Sequence, residues 1–380
     1  MSTYEWRVHH PQGRRRVVVT KELPGNRWLE ILTAADCRID ICTSPEVLPL
    51  EEITSAIGEN CDAAIGQLTE PWGEELFRTL RHAGGRVYSN YAVGFNNIDL
   101  DAATRQGIPV GNTPGVLTDT TAEMAVSLTF ATARRIGEAE RYLRAGQYKG
   151  WLPTLFLGEL LMRKTVGIIG AGRIGATYAR MMVEGHKMNV VYYDLYPNKG
   201  LEDDLAAYSD FLTSRGQPPV ACRRAASVEE LLQAADIVSI HTVLDDSTRH
   251  LINAERLALM KENAILVNTS RGPVIEEDDL VAHCRAHPNF RAGLDVFENE
   301  PELAKGLRDL DNVVIVPHIA SATSWTRQGM ATLAASNVAG LLMEYPVWNR
   351  PDILPFLEDH PPQAAPSILN AEALGLAVAE

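Results

Sequence analysis

Short apolar runs alternate with helix-like segments along most of this chain. In the N-terminal third RRVVVT is followed by PGNRWLEILTAA, which carries helical periodicity. RIDICT, LEEITSAIG and DAAIGQ come next, then the helical EELFRTLRHAG and the strand-like RVYSNYAV. The stretch TDTTAEMAVSLTFATARRIGEAERYLRAGQY has Thr and Asp cap candidates and strong helix formers, and predicts one long helix linking two domains. After Trp151 the alternation resumes with TVGIIGAG, a helix through Met181, NVVYYD, helical VEELLQAA and DIVSIHT. Three more apolar runs, AILVNTSR, AGLDVFENE and NVVIVPH, precede a long helical stretch SATSWTRQGMATLAASNVAGLLMEY and a Pro-rich tail. Residues 198–224 are polar with Gly and Pro, and are expected to form a surface insertion.

Repeated strand–helix alternation predicts an α/β protein built from two doubly wound parallel sheets. A chain of 380 residues is also longer than one core usually serves. The expected division is a smaller domain in residues 1–117, a second domain inserted at 118–320, and a return helix and tail to the first in 321–380.

Buried parallel strands present ligand-binding residues at their carboxyl ends. Arg271, Glu300 and His318 each stand just beyond an apolar run. They supply a fixed cation for a carboxylate, a carboxylate, and a titratable imidazole, a set suited to protonating a carbonyl as it is reduced. Gly170, Gly172 and Gly175 spell GxGxxG between an apolar strand and a helix. In that context the glycines permit a tight turn, close approach to a pyrophosphate and close helix packing. Asp194 ends the next apolar run, nineteen residues beyond Gly175, where a carboxylate accepts hydrogen bonds from ribose hydroxyls and repels a 2′-phosphate. NAD(H) is therefore expected over NADP(H). Arg173 and Ile174, between the glycines, complete the cofactor-binding candidates, with an exposed helical position as the competing reading for Arg173.

Charge and cysteine usage narrow the partners. Lys plus Arg total 35 against 49 Asp plus Glu, which argues against affinity for nucleic acid or anionic membrane. No window approaches the roughly 18 apolar residues of a membrane span. Five cysteines without a CxxC pair predict free thiols in a reducing compartment. The N-terminus MSTYEWRVHH carries no secretory pattern, and the chain closes on AVAE, not on a Ser-Lys-Leu address. His283 and His287 have i, i+4 spacing, but no Glu follows His283 and no third ligand is evident, so no metal site is expected.

VGIIGAGRIG followed by YYD, LVNTSRGPVIEEDDLV, AGLDVFENEP and VIVPHIASAT, in that order, resemble the D-isomer-specific 2-hydroxyacid dehydrogenases over nearly the whole chain. Within that family PGNRW, GQLTEPWGE, YAVGFNNIDL, GNTPGVLTDTTAE, AGQYKGWLP and ARMMVEG look like the NADH-dependent hydroxypyruvate reductases of photorespiration. The resemblance implies a Rossmann cofactor domain inserted in a smaller flavodoxin-like substrate domain, and a small 2-keto or 2-hydroxy acid as substrate. It gives Arg271 the substrate carboxylate and keto oxygen, His318 the proton, and Glu300 the task of pairing with His318 and fixing its tautomer. Val93 and Gly94 match a loop whose backbone N–H groups bind the substrate carboxylate. Thr118 matches a position beside the nicotinamide, and Asp295 matches the carboxylate that engages its carboxamide. A helix cap and a strand-end turn are the other readings of those two. Trp151 and Trp325 are left between a substrate-site or dimer-interface role and an apolar core. A homodimer and a peroxisomal address are implied by the family alone, with mitochondrial matrix and cytosol open. A second class of function, an NAD-sensing interaction protein akin to the corepressors of this fold, is separated from an enzyme by dinucleotide-dependent partner binding with negligible turnover.

Overall fold

The computed structural model describes residues 4–379; the first three residues and Glu380, on which the reading of the termini partly rests, lie outside them. The chain divides into two compact units, Met1–Leu117 with Ala322–Glu380, and Thr118–Ser321. In the first unit β1 (Trp6–His9), β2 (Arg15–Val19), α1 (Arg27–Ala34), β3 (Cys37–Cys42), α2 (Leu50–Ile57), β4 (Ala63–Gly66), α3 (Glu74–His82), β5 (Val87–Asn90), α4 (Leu100–Arg105) and β6 (Val110–Gly111) follow one another. The sheet order is β1-β3-β2-β4-β5-β6. β2 to β6 are parallel, in the order of flavodoxin-like sheets, and only β1 runs antiparallel, on the outside of β3. β4 and β5 are buried at every position, and β4 accordingly reads as a continuous apolar run, while β5 ends on the buried polar pair Ser89 and Asn90.

The second unit contains α5 (Thr118–Ala133), α6 (Ile136–Arg144), β7 (Thr165–Ile169), α7 (Arg173–His186), β8 (Asn189–Tyr193), α8 (Lys199–Ser214), β9 (Cys222–Arg224), α9 (Val228–Ala234), β10 (Ile237–Ile240), α10 (Ala254–Leu257), β11 (Ile265–Asn268), α11 (Glu277–Ala286), β12 (Arg291–Leu294) and β13 (Val313–Ile315). Its seven strands are all parallel, in the order β13-β12-β11-β10-β7-β8-β9. The winding direction reverses between β7 and β10, the topological switch point where such sheets bind ligands. Two expectations are corrected here. The single long helix from Thr118 is two helices, because Arg135 turns left-handed at φ 56° and the Ala133 carbonyl accepts the Glu159 N–H at 2.9 Å instead of continuing the ladder. α5 is buried in the unit, whereas α6 buries none of its residues. The expected surface insertion at 198–224 is an ordinary crossover: Asn198 caps α8, Leu201, Leu205 and Leu212 bury one face of it, and β9 pairs with β8.

The chain re-enters the first unit with α12 (Ser324–Leu342), capped by the Thr323 hydroxyl. α12 is buried almost all round, against α1 and the β4–β5 face, so its sequence is apolar without a clear stripe. The tail beyond it is more ordered than its proline content suggests. Leu369 donates to the Val110 carbonyl at 2.8 Å and Ile368 bridges Gly111 antiparallel, which covers the exposed edge of β6. Buried Asn370 fastens this strap, accepting from Val110 N–H at 2.9 Å and donating to the Ile108 carbonyl at 3.0 Å. Asn370→Ala leaves both backbone groups buried and unpaired, and should cost about 2–4 kcal/mol in urea unfolding. An unchanged midpoint would show that the strap adds nothing to stability.

Candidate active site

The glycine loop joins the end of β7 to α7. Gly170 has φ 89°, and a Cβ there would lie 2.8 Å from the His241 carbonyl carbon, so the loop is pressed against the end of β10. A Cβ on Gly175 would stand 2.1 Å from the Gly170 carbonyl oxygen, which fixes how closely α7 lies on β7. Gly172 differs from both. Its φ of −71° suits any residue and a Cβ there would meet nothing within 4 Å. Neither backbone nor packing demands glycine at the α7 N-terminus, where free N–H groups favour an anion. The Asp194 carboxylate is tied to this loop, accepting from Ala171 N–H at 2.8 Å and Tyr196 N–H at 3.2 Å. Arg173 is exposed and Ile174 half-buried beside the glycines. His241, not singled out from the sequence, ends β10 against Tyr178; burial pushes its imidazole down to about 3, so it stays neutral.

Beyond β11, β12 and β13 the structure gathers the trio. His318 Nδ1 lies 2.9 Å from Glu300 Oε2, and Glu300 Oε1 accepts from Phe297 N–H at 3.0 Å. Burial works against the Glu300 charge, but the His318 imidazole, the Phe297 N–H and Arg271 outweigh it and hold the carboxyl below its ordinary range. Burial likewise depresses the Arg271 guanidinium, which Glu300 supports in its charged form. With Nδ1 engaged by Glu300, the ring nitrogen that faces away from it is Nε2. His318 itself occupies the left-handed region at φ 51°. Its turn is held by Asp295: the Asp295 carbonyl accepts from His318 N–H at 2.8 Å, and the carboxylate accepts from Ile319 N–H at 2.6 Å and Ala320 N–H at 3.0 Å. The buried Asp295 carboxylate therefore builds the His318 turn, the reading set beside the carboxamide role. Burial raises its carboxyl, against the pull of those two N–H groups.

Asn268 was missed in the sequence although it sits inside AILVNTSR. Its side chain accepts from Ser270 N–H at 3.0 Å and donates to the Arg271 carbonyl at 2.9 Å, which shapes the turn that presents Arg271. An Asn at a strand end ahead of small polar residues is the usual signal of such a turn. Thr118 is the first residue of α5 and half-buried. In the other unit Val93 and Gly94 follow β5, and Asn112 Nδ2 donates to the Val93 carbonyl at 2.9 Å while Asn90 Nδ2 donates to that of Gly94 at 3.0 Å. Because the peptide is planar and trans, the Gly94 N–H points opposite to the Val93 carbonyl that Asn112 holds. The core readings of Trp151 and Trp325 fail, since the two are 79% and 59% exposed. The His283 and His287 rings lie 4.4 Å apart and tilted, beside Phe290, and no metal-binding cluster occurs among the described residues.

A family model described as D-isomer specific 2-hydroxyacid dehydrogenase, NAD binding domain, matches residues 126–320. The chain belongs to the D-isomer specific 2-hydroxyacid dehydrogenase family. It is 57% identical over 97% of both chains to a glycerate dehydrogenase of Cucumis sativus. Identity is 56%, over 98% of each, to the peroxisomal glycerate dehydrogenase HPR of Arabidopsis thaliana. A crystal structure of a Thermus thermophilus protein superposes with a TM-score of 0.76 at 34% identity, covering 93% of this chain and 99% of that one.

This dehydrogenase's second unit fits NAD. The open face at Gly172, the α7 N-terminus and the anchored Asp194 carboxylate would provide respectively room, donors and an acceptor for a dinucleotide. When bound, the dinucleotide carries the hydride. Gly172→Val should leave the melting temperature within a few degrees of wild type and weaken NADH binding, read by fluorescence titration, at least about tenfold. Unaltered NADH affinity would remove this loop from the cofactor site.

Proposed function

We propose that this dehydrogenase reduces hydroxypyruvate to D-glycerate with NADH, reversibly, and accepts glyoxylate as a second substrate. The observation that carries the reading is the His318–Glu300 pair at 2.9 Å, with the half-buried Arg271 guanidinium supporting the Glu300 charge. The near full-length similarity to two glycerate dehydrogenases supports the choice of keto acid. In the proposed reaction bound NADH supplies a hydride to C2. Arg271 binds the substrate carboxylate and stabilises the charge growing on the keto oxygen. His318 Nε2 gives that oxygen its proton, while Glu300 on Nδ1 orients the ring and balances the imidazolium. In oxidation His318 takes the proton back. Asp194 is assigned the ribose hydroxyls, and Arg173, Ile174 and Thr118 line the dinucleotide. For Val93 and Gly94 the orientation of their peptide planes supports backbone donation to a carboxylate.

A homodimer and a peroxisomal address complete the proposal, the latter resting on the Arabidopsis relative. For the dimer the support is an uncovered apolar surface. α6 buries nothing, and the segment after it exposes Trp151, Leu152, Leu157 and Leu160. That segment is fastened to α6 through Phe156, 5.1 Å from the Tyr142 ring and 5.1 Å from the Arg135 guanidinium. Clustered exposed apolar side chains mark association surfaces, and a second copy presents the matching one.

Steady-state NADH oxidation with hydroxypyruvate, glyoxylate, pyruvate and phosphohydroxypyruvate tests the substrate. Hydroxypyruvate should give the highest kcat/KM. His318→Asn should depress kcat about a hundredfold or more, and Arg271→Ala should worsen both KM and kcat. Near-normal kinetics in both variants would discard the site. Light scattering after gel filtration should give twice the 41.7 kDa chain mass. Leu157→Asp with Leu160→Asp should shift that to the single-chain mass, and a monomeric wild type would refute the dimer.

A further inference from the structure

Glu300 stands on an irregular loop, so something other than strand pairing must fix its carboxylate to within the tolerance of a proton-transfer pair. The loop runs from Phe297 to Ala304, and the turn carrying Arg271 leads through Gly272 into α11. These two segments touch at the backbone: a Cβ on Gly272 would lie 1.9 Å from the Phe297 carbonyl. Around that contact three ionisable side chains tie them together. Glu277 accepts from Glu298 N–H at 2.8 Å, and Glu298 accepts from Glu277 N–H at 3.2 Å, so each carboxylate holds the other residue's backbone. The second Glu277 oxygen takes Ala304 N–H at 3.2 Å, which fastens the far end of the Glu300 loop. The second Glu298 oxygen lies 2.6 Å from His250 Nε2. His250 in turn donates its backbone N–H to the Pro273 carbonyl at 2.8 Å, back on the Arg271 turn.

We propose that His250, Glu298 and Glu277 are positioning residues for the reaction, a closed brace that locks the Glu300 loop to the Arg271 turn and thereby sets where Glu300 holds His318. The inference rests on the reading of Glu300 and His318 as the proton-handling pair. Its chemistry is unlike ordinary loop packing. Glu277 is 3% exposed, a costly place for a carboxylate, and burial together with the neighbouring Glu298 pushes its carboxyl up. Glu276 and Asp279 crowd the same region, where the Asp279 charge pushes the Glu276 carboxyl up, and the His250 imidazole faces this group of acids. An apolar staple would hold a loop more cheaply. What acceptors of fixed direction add is placement of two backbone N–H groups on the Glu300 loop and one at the start of α11, and a placement error of about 1 Å costs on the order of a hundredfold in rate.

The test is a set of full-length variants assayed on whichever 2-keto acid is turned over fastest, with melting temperature and NADH affinity recorded for each. Glu298→Ala should lower kcat about tenfold to a hundredfold, with the NADH dissociation constant within about twofold of wild type. Glu298→Gln should restore kcat, because its side chain keeps an oxygen for Glu277 N–H and a second polar atom within reach of His250 Nε2. In a Glu300→Gln background, Glu298→Ala should cause little further loss, since residues acting through one another are not additive. His250→Gln, altered at the outer end of the brace, gives the same readout with milder disturbance if Glu298→Ala folds poorly. Full activity of Glu300→Gln would overturn the proton-handling reading, and the brace with it. A damaged Glu300→Gln beside an unimpaired Glu298→Ala, or additive losses in the double variant, would overturn the brace alone.

Discussion

The parallel register of β11, β12 and β13 is the constraint on which the candidate site depends. Asn268 pairs with Leu294 and Leu294 with Ile315, so the three strands stop on one line. Arg271, Glu300 and His318 stand three, six and three residues past it. A slip of one residue in any of these pairings would carry a functional group about one strand residue, roughly 3.3 Å, along the sheet. Burial on both faces prevents that slip, because every position of β11 is covered and no polar face exists to take up the error. The fold therefore places these three candidate side chains through hydrogen-bonded ladders.

Local electrostatics then refine what the ladders place. Asp295, Asn268 and Glu277 are buried polar side chains whose oxygens serve backbone N–H groups at strand ends. Each spends desolvation energy on conformation, and each sits within a few residues of a group assigned to substrate. The glycine loop works in the opposite sense, by removing side chains: Gly170 and Gly175 make room for backbone, while the space at Gly172 belongs to neither strand nor helix.

Strand and helix alternation, the glycine fingerprint and the strand-end trio were legible in the sequence because each depends on short-range pattern. Buried parallel strands announce themselves as apolar runs, whereas the order in which they pair is seen only in the structure. What escaped was decided by partners distant in sequence. The break at Arg135 depends on the Glu159 N–H reaching Ala133, and β6 is two residues long with an edge closed by Leu369, far along the chain. α8 was hidden by its polar surface, its three buried leucines too widely spaced to outweigh the Gly and Pro that follow. Asp295 shows the same limit at the site. The motif marks it as important, but only the structure shows that its carboxylate is engaged by Ile319 and Ala320.

The left-handed backbone of His318 bears on how natural variation at this position should be read. At φ 51° glycine is at ease, Asn, Asp and His are the side chains that visit this region most readily, and β-branched residues are excluded sterically. The set of residues that any descendant of this chain can sample at 318 is thus filtered by geometry before selection on catalysis begins. Single-step evolution away from histidine leads first to Asn or Asp, which keep the turn and lose the imidazole. Under the role proposed for His318, such a substitution would remove the proton donor while leaving the turn and the distant glycine loop in place.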